Sequence, residues 1–148
     1  MTLIDANLVL YAFDLSSPHH RAAHRWLSAT LSSPEPLALP WATILAFLRL
    51  STDPRLLQRP LTIAEAAATV SEWLARPNVS VPSPGDRHWA ILSRLLAEGQ
   101  VRGALVTDAH LAALAIEHGA TIATVDRDFA RFPGLRFFNP LLSSSEGQ

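Results

Sequence analysis

Three apolar runs in this chain stop at an aspartate: Leu3-Ile4-Asp5, Ala104-Leu105-Val106-Thr107-Asp108 and Thr121-Ile122-Ala123-Thr124-Val125-Asp126. An apolar run ended by an acidic residue is how a buried parallel strand reads where it leaves its sheet. Open parallel sheets bind their ligands at the carboxyl ends of the strands. Carboxylates far apart in sequence can therefore meet at one edge. Two of them about 4 Å apart repel by roughly 4 kcal/mol at an effective dielectric of 20. Either one is protonated or a divalent cation lies between them. The cation reading predicts Mg²⁺ or Mn²⁺ held by Asp5, Asp108 and Asp126, with Asp128 two residues further on. Such an ion lowers the pKa of a bound water and stabilises charge building up on a phosphate. On pattern alone, a capping or turn role for each aspartate stays open.

The composition narrows the chemistry. With 148 residues, 49% apolar and 17% charged, the chain predicts one globular domain. There is no cysteine, so thiol nucleophiles, thiolate zinc sites and disulfides are excluded. All twelve basic residues are arginine, which removes the lysine-dependent phosphate loop and Schiff-base chemistry. A formal charge of −1 provides no global field for nucleic acid, so any such binding must rest on a local arginine patch. No apolar run is long enough for a membrane span, and the first residues lack the pattern of a leader peptide. A cytoplasmic protein beginning at Met1 is the expectation.

The elements that would position the aspartates alternate along the chain. Short strands are predicted at Thr2–Asp5, Leu37–Leu39, Val79–Val81, Thr121–Val125 and Leu135–Phe138, and the run from Ala104 to Thr107 also reads as a strand end. Helices are predicted from Asn7 to Phe13, from Ser17-Pro18 to Leu31, and from Pro40 to Leu50. A capping box at Thr62-Ile63-Ala64-Glu65 opens another, running to Ala75. Two more run to Glu98 and from Asp108 to Gly119. The alternation predicts a central parallel sheet of four to five strands with helices on both faces. Residues 1–142 would form the domain and 143–148 a disordered tail.

Leu3-Ile4-Asp5-Ala6-Asn7, Thr107-Asp108-Ala109-His110-Leu111 and Thr124-Val125-Asp126-Arg127-Asp128-Phe129 resemble the signature segments of PIN-domain ribonucleases. Trp41, Phe47-Leu48-Arg49, Phe132-Pro133-Gly134-Leu135 and Asn139-Pro140 are similar to the VapC-type toxins within them. The resemblance implies a PIN-like fold and a Mg²⁺- or Mn²⁺-dependent endonuclease cutting structured RNA such as tRNA or rRNA. It implies Asp5 and Asp108 as metal ligands, Asp126 as a ligand or water-orienting group, and Asp128 as an outer carboxylate. Asn7 would hold Asp5 by a hydrogen bond, and Thr124 would support the far wall. A VapB-type antitoxin would lie across the acidic cleft and the N-terminal helices, and a homodimer is implied. One position departs from the pattern. The family usually carries a glutamate where this chain has Ala46, and no acid lies between Glu35 and Asp53. Two readings follow: activity with the remaining aspartates, or an impaired PIN-like module that only binds RNA or a partner.

Other residues divide between chemistry and scaffold. Arg49, Arg127 and Arg131 are candidates for phosphate contacts, the last two because they flank Asp126 and Asp128. His20 and His24 have zinc-like spacing but nothing to complete a set, and His110 reads as structural. Trp26, Trp41, Trp73 and Trp89 read as core residues rather than base-stacking platforms.

Overall fold

The chain enters its sheet at once. In the computed structural model, which describes residues 1–142, β1 (Thr2–Ile4) is followed directly by α1 (Ala6–Tyr11) and α2 (His20–Leu31). β2 (Leu37–Ala38), α3 (Trp41–Ser51), α4 (Ile63–Leu74) and β3 (Val79–Ser80) come next. Then follow α5 (His88–Glu98), α6 (Leu105–His118), β4 (Thr121–Ala123), a 3-10 turn over Arg127–Arg131, and β5 (Phe137–Phe138). The expected tail at 143–148 lies outside the described residues.

Five strands form one parallel sheet in the order β3-β2-β1-β4-β5. The chain builds outward from β1 to one side, then returns to build the other side from β4. The reversal lies between β1 and β4, and a crevice opens beyond the strand ends at such a point. Their register is Thr2↔Thr121, Leu3↔Ile122 and Ile4↔Ala123.

Alternation along each strand feeds two cores. Ile4, Leu37 and Ala123 face one layer with Leu8, Leu27, Ile44, Phe47 and Trp73, drawn from α1 to α4. Leu3, Ala38 and Ile122 face the other, with Leu95, Leu111, Leu114, Phe129 and Phe132. Burial on both sides explains why these strands read as continuous apolar runs. In the first layer Phe47 meets Phe13 and Trp73 at ring-centroid distances of 5.2 and 4.8 Å.

The structure corrects two expectations. Residues 104–106 are not a strand: Leu105 begins α6, so Asp108 lies in the first helical turn. Only a short loop separates α5 from α6, with Gln100 and Gly103 at positive φ reversing the chain. That link suits an antiparallel helix pair and is too short for a parallel strand crossover. The apolar run of alanines and leucines is a helix face, not a strand. The second correction concerns tryptophan. Trp73 is buried and Trp26 packs at the core edge, but Trp41 and Trp89 are 55% and 70% exposed. Each lies beside a residue that does face inward, Ala42 and His88, so the sequence neighbourhood was misleading.

The capping box forms as expected, with Glu65 N–H to Thr62 Oγ1 at 3.1 Å and Thr62 N–H to Glu65 Oε1 at 2.9 Å. A less visible contact seats α3 on the sheet: the buried Thr43 hydroxyl donates to the Ile4 carbonyl at 2.8 Å. Thr43→Val should cost about 1–2 kcal/mol, because a buried carbonyl at the end of β1 loses its side-chain partner. Urea unfolding checks this, and an unchanged midpoint contradicts it.

Candidate active site

Asp5 leaves β1 and caps α1. Its Oδ1 accepts the Ala6 N–H at 2.8 Å, and its Oδ2 accepts the Thr124 hydroxyl at 2.8 Å. The carboxylate is buried, and that burial raises its pKa; repulsion from Asp126 adds to the rise, while the two hydrogen bonds oppose it. The same Thr124 oxygen accepts the Asp126 N–H at 2.9 Å. Asp126 then caps the 3-10 turn by accepting the Asp128 N–H at 2.8 Å. One hydroxyl thus links the two aspartates that follow β1 and β4.

Asp108 approaches from a different element, the first turn of α6. Its pKa is pushed up to about 6, first by burial, then by the charges of Asp5, Asp126 and Asp128, with Arg131 partly offsetting them. The four carboxylates therefore share one electrostatic neighbourhood. They do not form a closed cage: among the described residues, no group of three or more His, Cys, Asp or Glu side chains is arranged to grip one ion. The donor set still fits Mg²⁺ or Mn²⁺, hard cations that need only one or two carboxylates and keep several waters.

The remaining candidates sort clearly. Asn7 is exposed and makes no side-chain hydrogen bond among the described residues; Ala6 and Thr124 hold Asp5 instead. Thr124 is more than a wall residue, and a threonine two residues before an aspartate at a strand end is the sequence signal of such a turn. Arg131 is largely committed inward. Its Nη1 donates to the Gly99 carbonyl at 3.0 Å, and Nη2 lies 3.8 Å from Asp128 Oδ1. Arg127 is exposed beside Asp126 and Asp128, and Arg49 is exposed at the end of α3. Ala46 is half-buried on α3, which carries no acid; Asp53 beyond it pairs with Arg55 at 3.1 Å. His20 bonds the Tyr11 carbonyl at 3.0 Å and stacks near His24, a scaffold role. His110 contacts His88 at 3.0 Å. Asp5 is buried at this edge, while Asp108 and Asp126 are half-buried and Asp128 is exposed.

Raised carboxyl pKa values carry a sign. The protonated Asp108 stabilises the metal-free fold at low pH, and that contribution fades as pH rises through about 6. Asp108→Asn keeps a neutral group at every pH. Without metal it should exceed the native protein in stability by about 1 kcal/mol at pH 8, discounted for half exposure, with little difference at pH 4. Thermal unfolding in chelator at both pH values measures the gap; the same gap at both would contradict the cause given.

Comparison with known proteins agrees with this architecture. A family model described as the PIN domain matches residues 2–135. Ribonuclease VapC37 of Mycobacterium tuberculosis is 44% identical over 140 residues, covering 95% of this chain and 97% of that one. Ribonuclease VapC33 of the same species is 41% identical over 141 residues, covering 95% and 99%. Among solved structures, M. tuberculosis VapC20, described as a sarcin-ricin loop cleaving toxin, superposes with a TM-score of 0.66 at 19% identity, covering 92% of this chain and 99% of that one. VapBC2 from Rickettsia felis, solved bound to a DNA fragment from its promoter, gives a TM-score of 0.67 at 16% identity, covering 93% and 97%. The distant structures speak for the fold and the nearer sequences for descent across almost the whole length. With a parallel sheet that reverses at β1 and aspartates gathered there, this chain belongs to the PIN-domain family, among the VapC-type ribonucleases.

Proposed function

We propose that the chain is a metal-dependent endoribonuclease acting as the toxin of a toxin–antitoxin pair. The observation that carries this is the gathering of Asp5, Asp108, Asp126 and Asp128 in one neighbourhood, where burial first and the neighbouring charges second push Asp108 up to about 6. A site so rich in like charge calls for a cation. Asp5 and Asp108 would hold Mg²⁺ or Mn²⁺ with Asp126 beside them, and the bound ion supplies an activated water and charge neutralisation at the scissile phosphate. Thr124 keeps Asp5 from turning away, since both Asp5 oxygens are already committed to fixed donors. Arg127, exposed at the rim, meets the incoming phosphate chain.

The binding-only reading draws on Ala46. The enzyme reading is favoured because relatives at 44% and 41% identity over nearly the full length are named ribonucleases. A structural relative from Klebsiella pneumoniae is described as a toxin–antitoxin complex, which supports a partner of that kind here. The surface for it is a groove of about 460 Å³ lined by Phe13, Leu15, Leu61, His24 and Arg59. The groove lies at the far end of α1, about 9 Å along that six-residue helix from Asp5. Among the described residues, no helix is long and apolar enough to cross a membrane. The homodimer implied by resemblance would cover the exposed Trp41 and Leu45, one turn apart on α3.

Incubation of the purified protein with total RNA across a Mg²⁺ and Mn²⁺ titration tests the reading. Cleavage should require the metal and fall at least about a hundredfold in Asp5→Ala and Asp108→Asn. RNA bound with normal affinity but never cut would leave the binding module; cleavage undiminished in both variants would place the chemistry elsewhere.

A further inference from the structure

Two residues after Asp108, α6 makes an unusual contact. His110 Nδ1 lies 3.0 Å from His88 Nε2 on α5, the rings meeting edge to face at a centroid distance of 4.9 Å. His88 is buried, and its other nitrogen, Nδ1, has no hydrogen-bond partner. That nitrogen faces Glu117 Oε1 at 3.9 Å. Glu117 is itself fixed: its carboxylate accepts the Gly85 N–H at 2.8 Å and the Arg87 N–H at 3.0 Å, just ahead of α5. A Cβ on Gly85 would come within 2.7 Å of that carboxylate, so the loop has closed tightly around it.

The turn that carries Asp108 is tied by backbone bonds, Leu105 N–H to the Arg102 carbonyl at 3.3 Å and Val106 N–H to the Gly103 carbonyl at 3.1 Å, but by few side chains. Ala104, its N-cap residue, offers no side-chain hydrogen bond, and residues 102–104, 106 and 107 are exposed. The rest of the α5–α6 contact is apolar, built on Ile91, Leu92, Leu95, Leu111 and Ala112. Contacts between small apolar side chains hold two helices together but tolerate sliding. A directional bond between buried polar groups selects one register.

The proton arrangement follows from the neighbours. Backbone hydrogen bonds from Gly85 and Arg87 hold Glu117 below the usual carboxylate range, so it faces His88 as an anion. A proton on His88 Nδ1 is favoured by that charge, while a lone pair there is repelled. His88 Nε2 is then an acceptor, and His110 Nδ1–H donates to it. We propose that His88, oriented by Glu117, is a positioning residue of the active site: by accepting this hydrogen bond it fixes the first turn of α6, and with it the Asp108 carboxylate. The functional half of this proposal rests on the nuclease reading of Asp108.

His88→Leu fills the space without an acceptor, and His88→Gln returns an acceptor oxygen near the Nε2 position. In His88→Leu, kcat on RNA should fall about ten- to a hundredfold with KM little changed, the scale expected when a reacting group is displaced by about an ångström. His88→Gln should recover most of it. Two readouts use the metal-free protein. ¹⁵N spectra of the imidazoles should show His110 as the Nδ1–H tautomer in the native protein, a preference lost in His88→Leu. Amide exchange at Asp108, Ala109 and His110 should quicken in His88→Leu and return towards native in His88→Gln. Native kcat together with native exchange in His88→Leu overturns the proposal, as does an Nε2–H tautomer at His110. Should His88→Leu fail to fold, His88→Gln and the native tautomer decide it in the same way. Cleavage that survives in Asp108→Asn would sink the nuclease reading instead, leaving the tautomer and exchange results to stand for the helix contact alone.

Discussion

The structure depends on one hydroxyl. Parallel pairing of β1 with β4 sets Ile4 against Ala123, and the ladder continues one step as the Asp5 N–H bonds the Ala123 carbonyl at 3.1 Å. Asp5 and Thr124 therefore emerge side by side where the sheet ends. Burying a carboxylate beside an apolar core is expensive unless its oxygens find donors. Thr124 supplies one, and by accepting the Asp126 N–H it also sets the turn that directs the second aspartate. Register, burial and aim are thus a single arrangement, made across 119 residues of sequence separation. A slip of one residue between β1 and β4 would exchange every inward and outward side chain and undo all three.

Asp108 is brought to this pair by the other layer, and its placement works against stability. Burial and three neighbouring carboxylates oppose its charge, and Arg131, anchored to the Gly99 carbonyl, offsets them only in part. A sequence selected for stability alone would place a neutral residue there. Natural sequences depart from local consistency at functional sites and compensate elsewhere. Here α6 beyond the aspartate is anchored in the core: Ala109 and Leu111 to Ala115 are all buried.

Much of this was legible before the structure, for identifiable reasons. Strands buried on both faces leave uninterrupted apolar runs, so β1 and β4 stood out, and Thr62 with Glu65 announced α4 through capping chemistry. The segment before Asp108 misled because a buried helix and a buried strand look alike over five residues. Length decides between them, and the continuing apolar pattern to Leu114 belongs to the helix. Contacts between distant side chains were the least legible. Neither the Thr43 hydroxyl on the Ile4 carbonyl nor the His88–His110 pair has any local signature, since both depend on how helices seat against other elements. Trp41 and Trp89 show the converse: aromatic type predicts burial on average, but helical phase decides it residue by residue, and both fall on the outer side.

Charge gives the nuclease reading its internal logic. The chain carries a net charge of −1, and the candidate site gathers four aspartates. RNA is a polyanion, so its phosphates and these aspartates repel, and long-range steering cannot bring them together. On the proposed reading, Asp5 and Asp108 would hold a divalent cation that would neutralise phosphate charge, and a rim arginine would hold the strand. Arg127 is exposed for that second task, whereas Arg131 is turned inward.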